Sequence, residues 1–176
     1  MKRKILALLC AAALVLSLAG CVISTPDTVG SIGGYEISSG LYLLAQYDAY
    51  QQAADLASSD QDASDVKSFL KETITPEGED AITVSDFVTQ TTLKNLENYA
   101  AIELPFDELG GQLTAEEEQQ ADSYASQLMD QYGDTYKANG IGLVTLQRFE
   151  RILIKSSDLI DLVYGVEGET PVSDAD

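Results

Sequence analysis

Four stretches between Leu41 and Tyr164 repeat apolar residues every three or four positions, the spacing of one face of a helix. Leu41 to about Ser58 places Tyr42, Ala45, Ala49, Ala53 and Leu56 on one face, with Leu43, Tyr47 and Tyr50 in a neighbouring stripe. Thr83 to about Glu103 turns Leu93, Leu96, Ala100 and Leu104 inward, with Phe87 at its start. Thr114 to about Tyr136 buries Ala121, Ala125, Leu128 and Tyr132. Leu143 to Tyr164 is the most apolar: Leu146, Phe149, Leu153, Ile160 and Val163 align, and Ile152, Ile154, Leu159 and Leu162 widen the face. A face that broad is either sandwiched between helices or offered to something else.

The residues between the stripes are stops and starts. Gly33-Gly34 supplies the positive φ angles of a tight turn, and Tyr35 and Ile37 alternate with polar residues, so Val29 to Ser38 reads as a β-hairpin or paired extended segment. Ser38 or Ser39 caps the first helix. Ser58 to Asp65 is a polar loop, Val66 to Ile74 a short helix with Val66, Phe69 and Leu70 inward, and Pro76-Glu77-Gly78 a turn. Thr83 with Asp86, and Thr114 with Glu117, have capping-box spacing. Pro105 kinks or ends the second long helix, and Gly110-Gly111, Asn139-Gly140 and Gly165 are C-terminal stops. The expected fold is mostly α, with its helices around the Leu143–Tyr164 helix and a small β element near the N-terminus.

One further apolar run, Ile5 to Leu16, has no polar face. It follows Lys2, Arg3 and Lys4 and precedes Leu18-Ala19-Gly20-Cys21, the layout of an export signal with small residues at its cleavage site. A spanning helix needs about 20 apolar residues, so the run is too short to span comfortably. Gly20 and Cys21 mark the cut, and Cys21 supplies a thiol for a diacylglyceryl group. The segment resembles the bacterial lipobox. The expected layout is a signal over 1–20, a lipidated tether over 21–28, a helical domain over 29–165 and an acidic tail or linker over 166–176. The expected place is the outer face of the bacterial cytoplasmic membrane, with the bilayer as partner through acylated Cys21, since two acyl chains hold where one binds reversibly.

The chain carries a net charge of −19 over 176 residues. Loss of Lys2, Arg3 and Lys4 with the signal leaves seven basic residues against 29 acids. Such a body repels nucleic acid and anionic headgroups, and no nucleic-acid partner is expected. Cys10 leaves with the signal and Cys21 is the lipid site, so no disulfide framework is expected.

Histidine is absent, which removes the usual general base and a common zinc ligand. Asp60, Asp62 and Ser64 alternate like a calcium loop, but Asp65 stands where glycine is required and Lys71 where the distal glutamate belongs. Glu116 to Glu118 and Asp122 read as solvated capping charges rather than as acid–base pairs. No metal, cofactor or catalytic residue is expected. Nine tyrosines are either core or an adaptable surface for apolar peptide. Tyr42, Tyr47, Tyr50, Phe149 and Leu153 are the candidate client-binding residues.

The order of elements is recognisable. A turn ends in Ile37-Ser38, then come a helix, a long helix closing in Phe106-Asp107-Glu108-Leu109-Gly110, the run Leu113 to Glu118, Asn139 to Gly142, and an apolar helix closing at Tyr164-Gly165. This set, with the lipobox, resembles the N-terminal chaperone domain of the SurA/PrsA-type foldases over Val29 to about Val172. The resemblance implies an exported, membrane-anchored chaperone that binds unfolded or newly exported polypeptides. It departs in one respect: the family's isomerase activity lies in a separate parvulin domain, whose site usually uses histidines. The resemblance therefore implies either a stand-alone chaperone module or the front part of a longer isomerase, and carries over no catalytic residue. A solute-binding or scaffold lipoprotein is the other reading of the same helical body.

Overall fold

The structure is a computed structural model, and it describes residues 27–58, 60–165 and 168–170. The expected signal and lipid site, including Gly20 and Cys21, and most of the 166–176 tail lie outside the described residues. The chain is mostly helical, with a small antiparallel hairpin near its N-terminus. Strands β1 (Thr28–Ile32) and β2 (Tyr35–Ser38) pair antiparallel with Ile32 opposite Tyr35. Gly33 and Gly34 take φ of 60° and 97°, which is why two glycines occupy the two-residue turn. Three helices and a second small ladder follow: α1 (Ser39–Asp55), α2 (Val66–Phe69), β3 (Thr73–Ile74), β4 (Ile82–Thr83) and α3 (Val84–Glu108). Helices α4 (Ala115–Ala138) and α5 (Leu143–Tyr164) complete the fold.

The caps are where side-chain chemistry places them. Ser38 accepts from Leu41 N–H, Thr83 from Asp86 N–H, and Thr114 with Glu117 forms a reciprocal capping box. Each satisfies backbone donors that the first turn leaves unpaired. Gly110 and Gly140 adopt positive φ after α3 and α4, and the next residues return to the helix: Gly111 N–H donates to Phe106 O at 2.8 Å and Ile141 N–H to Tyr136 O at 2.9 Å.

Three apolar clusters share α1. Leu41 and Ala45 meet Ile37, Leu96, Tyr99 and Ile152. Ala49 and Ala53 meet Phe69, Ile74, Val84 and Val88. Leu44 meets Ala125, Ile141 and Leu146. The sequence reading centred the fold on α5. That helix does pack on α4, α3 and the start of α1, but α1 is the element common to every cluster. Its alanines permit this, because a helix with small side chains can be approached closely from several sides.

Several local expectations are corrected. Val66–Ile74 is not one helix: α2 stops at Phe69, and Thr73 and Ile74 pair with Thr83 and Ile82. That pairing drops Ile74 into the cluster beside Phe69, while Val66 stays half exposed. Pro105 does not end α3, which continues to Glu108. Leu93, Leu56 and Tyr132 are exposed rather than inward. On α5, Leu146 and Ile152 are buried, whereas Leu153 and Ile160, with Tyr164, are exposed. Helix α1 meets α5 at Thr145, Leu146 and Ile152, so it shields only the first half of that helix. Among the described residues no helix is long and apolar enough to cross a membrane.

Candidate functional site

An uncharged groove of about 440 Å³ lies where α1, α2, α3 and the end of α4 converge. Leu43, Tyr47 and Tyr50 form its α1 wall, Val66 and Leu70 its α2 side, and Val88 its α3 side. Gln46, Gln51, Thr135 and Asn139 supply the polar lining. None of these residues is charged, in a chain where 22% of residues are. The size falls in the ~300–1,000 Å³ range of ligand clefts.

The aromatic rings of the groove are held by neighbours behind it. Tyr50 stands edge-on to Phe69 at 5.7 Å, and its hydroxyl donates to Ala63 O at 2.5 Å. Tyr47 stands edge-on to Tyr136 at 5.8 Å, and Tyr136 to Tyr132 at 6.4 Å. The Tyr47 hydroxyl and the side-chain amides of Gln46 and Gln51 make no hydrogen bonds among the described residues. Burial, with Asp62 and Asp65 adding to it, pushes the Tyr50 phenol up; burial and then Asp48 do the same for Tyr136. Those phenols stay neutral donors at physiological pH.

The five candidate residues separate in space. Tyr47 and Tyr50 line the groove. Tyr42 and Phe149 pack against the Leu41–Ile152 cluster, where Phe149 meets Tyr99 edge-on at 5.8 Å. Leu153 lies on the exposed side of α5. Sequence reasoning did not find Val66, Leu70 and Val88 as groove lining. Their helical spacing reads equally well as core, and it takes the β3–β4 ladder and the packing of Phe69 on α1 to bring them together.

Neither a protein-family model, nor a curated protein, nor a solved structure matches this chain.

Three of the acidic candidates make caps or ion pairs. Glu117 closes the α4 capping box, and those hydrogen bonds hold its carboxyl below the usual range. Glu118 and Asp122 both pair with Arg151 on α5, tying α4 to α5. Asp60 and Asp62 bond Ser58 and Ser64 in local turns. Among the described residues no three potential ligands gather for a metal ion. A second hollow of about 650 Å³ lies between Phe106, Gly111 and Leu162, but Glu117, Asp158 and Asp161 ring it with carboxylates. Apolar chain would lose the solvation of those charges there.

Proposed function

We propose that this protein is a lipid-anchored extracytoplasmic chaperone of the foldase type, which binds unfolded or newly exported polypeptides. The observation that carries the reading is the uncharged, tyrosine-walled groove on an otherwise strongly acidic body. Apolar side chains of a client leave water there without stripping solvent from a charge. The acidity keeps client-loaded protein soluble. The lipobox-like segment ending in Cys21 supplies the tether, and the resemblance to the SurA/PrsA-type foldases supports the assignment. Client binding is weak per contact, because an unfolded segment loses conformational freedom when it docks.

The deciding experiment is suppression of aggregation. The protein is added to a diluted unfolded client and light scattering is followed. Suppression at near-stoichiometric amounts is expected, and none from demonstrably folded protein overturns the reading. Cys21→Ser tests the anchor: the variant is expected in the soluble fraction, and retention on membranes removes the lipid assignment.

A further inference from the structure

The groove also has an electrostatic frame, and, if the chaperone reading holds, that frame specifies the client segment. The stretch from Asp48 to Glu72 forms the α1 end, the following loop and α2, and carries six carboxylates against Lys67 and Lys71. The Tyr50 hydroxyl donates to Ala63 O at 2.5 Å, and Asp62 and Asp65 bracket Ala63 in the chain, so both acids stand beside the Tyr50 end of the groove. Acids therefore border a lining that itself has no charge. On the α4 side Lys137 lies between the lining residues Thr135 and Asn139 in sequence, three positions after Asp134.

The polar lining adds a second constraint. Gln46 and Gln51 present amides that both donate and accept, and neither is used internally. A client helix satisfies its own backbone and has no use for them. An extended chain exposes an unpaired N–H and C=O at every residue.

We propose that the groove takes an extended, uncharged apolar run of polypeptide flanked by lysine or arginine. Apolar side chains seat between Tyr47, Tyr50, Val66 and Val88, the backbone pairs with Gln46 and Gln51, and the flanking cations meet the acids at the rim.

The test uses two labelled peptides with one leucine/valine/phenylalanine centre, one ending in lysines and the other in glutamates. Binding to the protein is followed by fluorescence anisotropy at low and high salt. The lysine-flanked peptide is expected to bind about tenfold tighter at low salt, with the gap closing as salt rises. Val66→Lys puts a cation on a groove wall at a residue already half exposed, and is expected to weaken the lysine-flanked peptide about tenfold. Equal affinity of the two peptides overturns the charge frame, and unchanged binding by Val66→Lys overturns the groove as the site. Aggregation suppression by the parent protein alongside either result leaves the chaperone reading standing. Loss of both peptide binding and suppression removes the reading and the inference together.

Discussion

Lys155 on α5 donates to Glu103 on α3 at 2.6 Å, and the two side chains are only 17% and 11% exposed. The ammonium also lies 5.1 Å from the centre of the Phe106 ring. A pair this sheltered is costly to break from one side, because the survivor keeps its charge without its partner. Lys155→Met is expected to cost about 3 kcal/mol in urea unfolding. Adding Glu103→Gln is expected to recover much of that loss. A single variant as stable as the parent would show that water already solvates the pair.

Helices α1 and α5 touch at a glycine. A Cβ on Gly40 would come 2.0 Å from Thr145 Oγ1. Gly40→Ala is expected to destabilise by about 2 kcal/mol, since overpacking a close contact forces the helices apart. Thr145→Ala removes the obstructing hydroxyl, so the double variant is expected to regain most of the loss. Thermal unfolding of the three variants reads this directly, and purely additive effects would deny the contact.

The Thr92 hydroxyl is buried on α3 and has no hydrogen-bond partner among the described residues. An unpaired buried hydroxyl is a cost that an isosteric methyl removes. Thr92→Val is expected to stabilise by about 1 kcal/mol. Loss of stability instead would mean that the hydroxyl is bonded in solution.

Asp48 is half-buried on α1 without a hydrogen bond or ion pair among the described residues, and burial pushes its carboxyl up to about 6. The unfolded chain takes up the same proton near ~3.9. The folded state therefore binds the proton first, and this group makes the fold more stable as pH falls through 6. After allowance for its solvent access, the gain is about 1 kcal/mol. Asp60, Asp62 and Glu117 are held low by hydrogen bonds and act in the opposite sense at lower pH still. Melting temperature is expected to rise from neutral pH to about pH 5 and then fall. Asp48→Asn is expected to raise it at neutral pH and flatten the first limb; an unchanged slope would place the effect elsewhere.

Short-range chemistry was the legible part. Gly33-Gly34, Ser38, Thr83 and the Thr114–Glu117 box act within four residues of themselves, and each ends or starts an element where expected. Periodicity named the long helices and most of their buried faces. It could not say how far along a face a partner extends, which is why Leu153 and Ile160 are exposed although Leu146 on the same side is buried. The β3–β4 ladder was illegible because a two-residue strand has no alternation to read. Pro105 stays inside α3, and Phe106, just beyond it, is buried. Of the groove, the tyrosines were visible in sequence and the walls opposite them were not.

Arg148 donates to the Tyr35 hydroxyl at 2.9 Å, and its guanidinium lies 5.2 Å from the centre of that ring. The two residues are 113 positions apart. In a chain that emerges N-terminus first, the hairpin is therefore present well before the helix that latches it. The first cluster waits as well, since Ile152 closes the packing around Leu41. The N-terminal half cannot complete its fold during its own synthesis. The second cluster, by contrast, draws only on residues from Ala49 to Val88 and does not wait for α5.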